Sequence, residues 1–491
     1  MHGRFVSGMT AALVLLTTSA CRQPDGAPVS DTHDSRLRIG VGGFASAGLQ
    51  SLGQILAVES LARLSEDGRP QPWLARSWQI SKDHRRLTVN LLPNVKFHDG
   101  TPLTSVIVAN ALESSLPTFM GSTLEDLEGV EAINDAQVEI RLRKPSPFLL
   151  DTLETSIIKP GSPLVGTGPF IVEDSKSPRE MRANAAYPLG KPAVDRISVN
   201  TYPSVRAAWA DMLRGRIDML YEVEPDALDS LQASNNIAIF SFVRRYQLVV
   251  VLNTKADVFR STAIRHALNQ AIDRNGVVKD ALGGHGVASS GPVWPRSYAF
   301  RGDVSAPKYD IAAASKVLTA TIPGKPAVRV HFTCLVRSDA VHERVALVVK
   351  RQLAAIGVDM DVEEVGVERI AESMKNHQFE AVLTEMISGP SMLRLYRMWH
   401  SGGVAGASSA SIDAALDRVR YAASDDEYPQ SVTAFQQAVN ADPPAIFLAW
   451  MERARAVSKR FLVPAAEPGR DILSNLRLWK PSGLLEQASR N

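Results

Sequence analysis

The sequence predicts a mixed α/β protein of more than one lobe, on three observations. The chain has 491 residues, 45% of them apolar, enough for a large core and too many for a single one. Residues 327–363 read strand, helix, strand: Val328-Arg329-Val330-His331-Phe332 alternates, Val341 to Ala355 has helical spacing, and Gly357 closes the helix before Met360-Asp361-Val362. Residues 246–254 form a nearly continuous β-branched run, as in a strand covered on both faces, and 264–274 then changes to a period of three to four. Such βαβ units build layers of helix on sheet.

The amino terminus indicates a compartment. Arg4 supplies a short basic region, Met9 to Leu16 an apolar core, and Thr18-Ser19-Ala20-Cys21 a small-residue cleavage site ending in cysteine, similar to a lipoprotein signal peptide over residues 1–21. The apolar run is too short for a permanent membrane helix, and no other stretch is long enough. Lipidation is therefore expected at Cys21. Thr18 stands where an apolar residue is usual, so an ordinary secretory signal cleaved nearby is the alternative. Residues 22–35, polar and without apolar period, suit a flexible tether. The only cysteines are Cys21 and Cys334, so no disulfide framework holds the fold. Net charge is +2 with dispersed signs, against nucleic-acid binding by a basic patch.

Further elements follow in order. Leu37 to Val41 reads as a strand leading into Gly42-Gly43-Phe44-Ala45-Ser46-Ala47, whose small residues leave backbone N–H groups accessible. Leu87, Val89 and Leu91 alternate with Thr88 and Asn90 after the turn Lys82-Asp83-His84. Asp99-Gly100 is a second turn, and Thr104 is placed to cap a helix carrying Val106, Val108 and Leu112. His98-Asp99 reads as turn residues rather than a catalytic pair. Gly215 ends a helix before a short strand within 213–220. Gly283-Gly284-His285-Gly286 lacks the Lys-Ser/Thr of a phosphate loop and the spacing of a dinucleotide fold.

Several of these segments recur in a fixed order that resembles one family. They are Pro72-Trp73-Leu74-Ala75, Ser77-Trp78, Val95-Lys96-Phe97-His98-Asp99-Gly100, Arg143 to Phe148, Val165 to Phe170, Gly190-Lys191-Pro192, residues 213–220, Leu252-Asn253, Ile264 to Arg274 and Tyr309-Asp310-Ile311. The chain resembles the extracytoplasmic solute-binding proteins of the peptide and nickel class, family 5, over nearly all of its mature length. The resemblance implies a periplasmic-binding-protein-like fold of class II (cluster C): two mixed α/β lobes, an inserted subdomain and an interlobe cleft. It maps the first lobe to 36–58, 165–246 and 460–491, subdomain II to 59–164, and lobe III to 247–459. It implies capture of a peptide or similar small solute, delivery to ABC permease and ATPase subunits, membrane attachment by lipid, a monomer, and neither catalysis nor cofactor.

The resemblance also selects candidate ligand contacts. Phe44, Ser46 and Ala47 fall in the loop that faces the cleft in the family. Phe379 to Pro390 is the strip where peptide-binding relatives carry a Trp and then an Asp for the ligand ammonium; here Met386 and Gly389 take those positions, with Thr384, Glu385 and Ser388 beside them. Glu385 is a replacement carboxylate if the strand aims it at the cleft. Arg337 neighbours the place of an arginine for the ligand carboxylate in dipeptide-binding relatives, against the ordinary reading of a surface arginine. Trp294 and Trp399 read equally as cleft wall or core.

Two other classes have partial signals. Ser156-Ile157-Ile158-Lys159 has the Ser-x-x-Lys spacing of acyl-transfer enzymes but lacks their companion motifs. The ten histidines form neither an HExxH nor a dense cluster, which leaves a chelated metal open as a ligand. Within the binding class, a sensor or chaperone lipoprotein is the alternative to an importer component.

Overall fold

Leu37, Ile39 and Val41 are buried on the strand Arg36–Val41, which pairs in parallel with Arg196–Thr201 on one side and Met219–Val223 on the other. The computed structural model describes residues 35–482 except 44, 160, 224, 290, 303, 305–307, 320–329, 406–408 and 467–469. Cys21 and the signal and tether segments lie outside the described residues, apart from Ser35.

These three strands belong to an 11-stranded mixed sheet. Its order is Phe170–Val172, Glu180–Ala183, Arg196–Thr201, Arg36–Val41, Met219–Val223, Ala445–Ser458, Ile237–Leu252, Ala381–Ile387, His331–Arg337 and Asp359–Val365, with Gly286–Ala288 also on Ala445–Ser458. Two strands serve both halves of the sheet. Ile237–Leu252 has 16 residues and Ala445–Ser458 has 14, so at roughly 3.3 Å per residue each is about 45–55 Å long. Their antiparallel pairing runs from Ile237 with Ser458 to Val251 with Ala445.

The cores follow the same division. In the second half, Leu248, Val250 and Leu252 enter one core while Val249 and Val251 enter the other, so this stretch is covered on both faces. That is why 246–254 reads as continuously apolar. The strand reaches back to Ile237, well beyond the predicted run; its first part is only partly covered and is interrupted by Arg244-Arg245, which hides its continuity with the buried run. The predicted strand, helix, strand unit appears as His331–Arg337, Ala340–Ala354 and Asp359–Val365, the strands in parallel. Of its expected first strand, Val328-Arg329 lies outside the described residues. In the first half, Leu37, Ile39 and Val41 pack with Leu49, Leu52 and Leu56 of the helix Ala45–Ala57, while Leu220 and Val223 pack with Ala208 and Met212.

Residues 61–157 build a separate core on a four-stranded antiparallel sheet, Ala75–Ile80, Arg86–Leu91, Gln137–Leu142 and Leu127–Asn134, under the helix Ser105–Met120. Thr104 caps this helix by accepting from the Ile107 N–H at 3.3 Å, as the sequence predicts. Arg397 donates to the Phe119 carbonyl and Arg420 to Asp126, fastening this subdomain to the second half. At its other side Gly166 passes so close that a Cβ there would lie 2.0 Å from the Ala57 carbonyl oxygen.

Candidate functional site

The two shared strands lose register between Val243 and Gln247, where Arg244, Arg245 and Tyr246 cross from one half to the other. A cavity of about 510 Å3 opens on one side and another of about 440 Å3 on the other. They share Ile55, Phe242, Arg244, Tyr246 and Asp471 and together form a cleft between the halves. Concave junctions of this size are the usual place for small-molecule sites.

The first cavity takes Gly42, Gly43 and Tyr221 from the first half and Arg337, His342 and Glu385 from the second. Gly42 is required by close packing: a Cβ there would stand 2.4 Å from the Val205 nitrogen. Glu385 holds two guanidinium groups, accepting from Arg453 at 3.0 Å and Arg244 at 3.4 Å, while Arg453 also lies 3.5 Å from Glu222. This charge chain runs from one half to the other. Arg455 grips Asp471 with two nitrogens, the shorter contact 2.6 Å, and lies over the Tyr221 ring. Asp339 caps the helix Ala340–Ala354 and contacts Arg337 and His342. Burial pushes its carboxyl up, but the His342 hydrogen bond and the nearby positive charges outweigh that and hold it below the usual range.

The second cavity is lined by Arg63, Arg245, Arg394 and Arg470. Glu154 lies 2.8 Å from Arg394 and 3.7 Å from Arg245. Glu59 is already occupied, accepting from Trp73 Nε1 at 2.6 Å, Tyr187 at 2.7 Å and Thr167 at 2.8 Å. Across both cavities, nine arginines face six carboxylates among the described residues. The cleft is therefore electropositive.

The expected contacts separate sharply. Arg337 and Glu385 line the first cavity. Met386 is 5% exposed and packs in a core with Val382, and Thr384 shares its face of the strand, away from the cleft. Ser388 is buried with its hydroxyl donating to the Pro292 carbonyl. Trp294 packs edge-on against Trp450 and donates to the Glu66 carbonyl at 3.0 Å, and Trp399 packs against Phe447. Met386, Ser388, Trp294 and Trp399 depart from the expectation of ligand contact because core packing buries them, while Thr384 is half-buried and does not line either cavity. Gly389, at φ +90°, lies against Arg245; a Cβ there would be 3.1 Å from that of Arg245, so no aspartate fits without displacement. Phe44 lies outside the described residues, and Ser46 and Ala47 belong to the backbone of Ala45–Ala57 rather than to a loop.

Sequence reasoning missed Arg244, Arg245, Arg394, Arg453 and Arg470. One available signal was the Arg244-Arg245 doublet interrupting a strand-like run, and another the alternation of Arg453 and Arg455 after the apolar stretch 445–451. A third cavity, about 590 Å3, lies where the subdomain meets the second half, walled by Trp78, Tyr298 and Tyr428 with Asp151. It is away from the crossing strands.

Ser156 is exposed on a two-residue strand, and Lys159 is bound to Asp99 and Thr101 instead. Among the described residues no cluster of three or more His, Cys, Asp or Glu is placed to hold a metal. None of the described helices is long and apolar enough to cross a membrane.

Two α/β halves joined by long shared strands around a charged cleft define a solute-binding protein. Residues 69–406 match the model of bacterial extracellular solute-binding proteins, family 5 (middle region), and the chain belongs to that family. Among its relatives, the oligopeptide-binding protein AppA of Bacillus subtilis (strain 168) is 25% identical over 439 residues, 80% of each chain. NikZ from Campylobacter jejuni, solved with Ni(L-His), matches with TM-score 0.78 at 22% identity over 91% of this chain and 99% of that one. AgaA from A. tumefaciens R10, solved with agropinic acid, matches with TM-score 0.75 at 20% identity over the same shares. The protein is a binding protein of the ABC-importer class and not an enzyme.

Proposed function

We propose that the protein is the lipid-anchored receptor of an importer, taking a peptide or similar small solute into the cleft and passing it to the permease. The observation that carries this reading is the register break at 244–246, where both long strands cross and residues of both halves face one cavity. The lobes run over 36–58, 165–246 and 460–491 for the first and 247–459 for the other, with 59–164 as the inserted subdomain. A solute touching both lobes binds the closed arrangement more tightly than the open one and shifts the population toward it. An oligopeptide-binding relative, and fold neighbours solved with Ni(L-His) and with agropinic acid, support a small polar solute. Cys21 carries the lipid, and residues 22–35 give the lobes reach from the membrane.

Uptake measured in cells with and without the partner permease tests this. Loss of uptake on permease deletion is expected; unchanged uptake means a sensor or chaperone instead. Cys21→Ala should move the protein from the membrane to the soluble fraction and abolish labelling by a fatty-acid probe.

A further inference from the structure

Five arginines line the 440 Å3 cavity: Arg244, shared with the first cavity, and four that converge from separate parts of the chain. Arg63 comes from the inserted subdomain, Arg245 from a crossing strand, Arg394 from the helix Met392–Trp399, and Arg470 from the segment before the turn Ile472–Leu478. The carboxylates beside them are already engaged. Glu154 serves Arg394 and Arg245 together, Glu59 accepts from three neutral donors besides facing Arg63 at 3.9 Å, and Asp471 is gripped by Arg455. Burial lowers the pKa of Arg245, and the charges of Arg394 and Arg470 lower it further against the opposite pull of Glu154. Arg63 is brought down to about 10 mainly by burial, with Arg470 and Arg477 adding repulsion. Guanidinium groups nonetheless stay charged at neutral pH, so the cavity concentrates positive charge between low-dielectric walls. The same Arg245 side chain occupies the space in front of Gly389.

We propose that this cavity receives an oxyanion of the solute, a carboxylate or a phosphate, so that the protein selects acid-terminated solutes over those presenting a free ammonium there. This rests on the solute-capture reading above. Arginine forks match such oxyanions with paired, charge-assisted hydrogen bonds. An oxyanion that touches Arg394 of one lobe and Arg470 of the other favours closure directly.

The test is thermal unfolding and titration calorimetry on residues 22–491, wild type and Arg394→Gln. The probes are C-terminally amidated trialanine (trialanine), its N-succinyl form (N-succinyl-trialanine), citrate and glycerol 3-phosphate. Acid-terminated probes should bind at least about tenfold more tightly than trialanine, a difference of about 1.4 kcal/mol, and Arg394→Gln should remove that preference. Tightest binding by glycerol 3-phosphate would identify the oxyanion as phosphate; tightest binding by N-succinyl-trialanine or citrate, as carboxylate. If Arg394→Gln fails to fold, Arg394→Lys, which keeps the charge and loses the fork, should weaken the acid-terminated probe and leave the unfolding temperature near wild type. Trialanine binding as tightly as its succinyl form, or unchanged affinity in the folded variant, overturns the oxyanion site while solute capture stands. If no probe of either charge binds and native mass spectrometry releases no solute, capture itself falls, and the oxyanion site with it.

Discussion

Arg420→Met should destabilise the protein severely, because it opens the junction that fastens the 61–157 core to the second half of the sheet. Arg420 is 3% exposed and its partner Asp126 is 4% exposed. Arg420 Nε donates to Asp126 at 2.7 Å, Nη1 to the Tyr396 hydroxyl at 2.8 Å and Nη2 to Glu125 at 2.8 Å. The intact buried pair is close to break-even against an apolar replacement, but removing one partner leaves a buried charge, which costs about 3–5 kcal/mol. Glu125 is different: its side chain is 69% exposed, so Glu125→Gln should cost no more than about 1 kcal/mol. Replacing both charges, Arg420→Met with Asp126→Leu, should recover most of the loss. The assay is urea unfolding followed by tryptophan fluorescence, compared at the same transition in each variant, since a chain of several lobes need not unfold in one step. A loss below about 1 kcal/mol for Arg420→Met, or no recovery in the double variant, would refute the buried-charge reasoning.

Other consequences are equally direct. Asp151 is pushed up to about 7 by burial, then by the negative charge of Glu154, against Ser391 and Arg394. An unfolded aspartate titrates near ~4, so its contribution is fully present below about pH 4 and is lost as pH rises through 7. The unfolding temperature should therefore fall between about pH 4 and 7 and level off above that, and Asp151→Asn should flatten that slope; an unchanged slope contradicts it. Gly166→Ala should cost about 1–3 kcal/mol or more, measured by urea unfolding, since the added methyl meets the Ala57 carbonyl. Cys334 is buried and its thiol is pushed up to about 12 by that burial, so it should react with a disulfide reagent only after unfolding. Rapid reaction in the native protein would show that the core of the second half opens.

The parts of the fold legible in the sequence are those with local causes. The Thr104 cap, the Gly100 and Gly215 turns at φ +85° and +69°, and the βαβ unit at 331–365 each depend on neighbouring residues alone. The crossing strands were half visible. Their buried ends are apolar on both faces, but the segment 238–246 beside the cleft is only partly covered, and its charged residues disguise the strand. The site was harder still. Arg337 and Glu385 follow from family position, but whether Glu385 faces the cleft depends on strand alternation, and whether Trp399 forms a cleft wall or packs in the core depends on helix packing that the sequence alone does not fix. The arginine cavity depends on residues as far apart as Arg63 and Arg470, brought together only by tertiary packing.

On the proposed function, solute binding closes the two lobes about residues 244–246. Spin labels at Leu213→Cys and Leu347→Cys, both exposed and on different lobes, report that distance in a protein lacking Cys21, since buried Cys334 stays unlabelled. With the oxyanion probe that raises the unfolding temperature most, the distance distribution should shift to shorter values and revert in Arg394→Gln. An unchanged distribution at saturating probe would contradict closure of the cleft as the mechanism of capture.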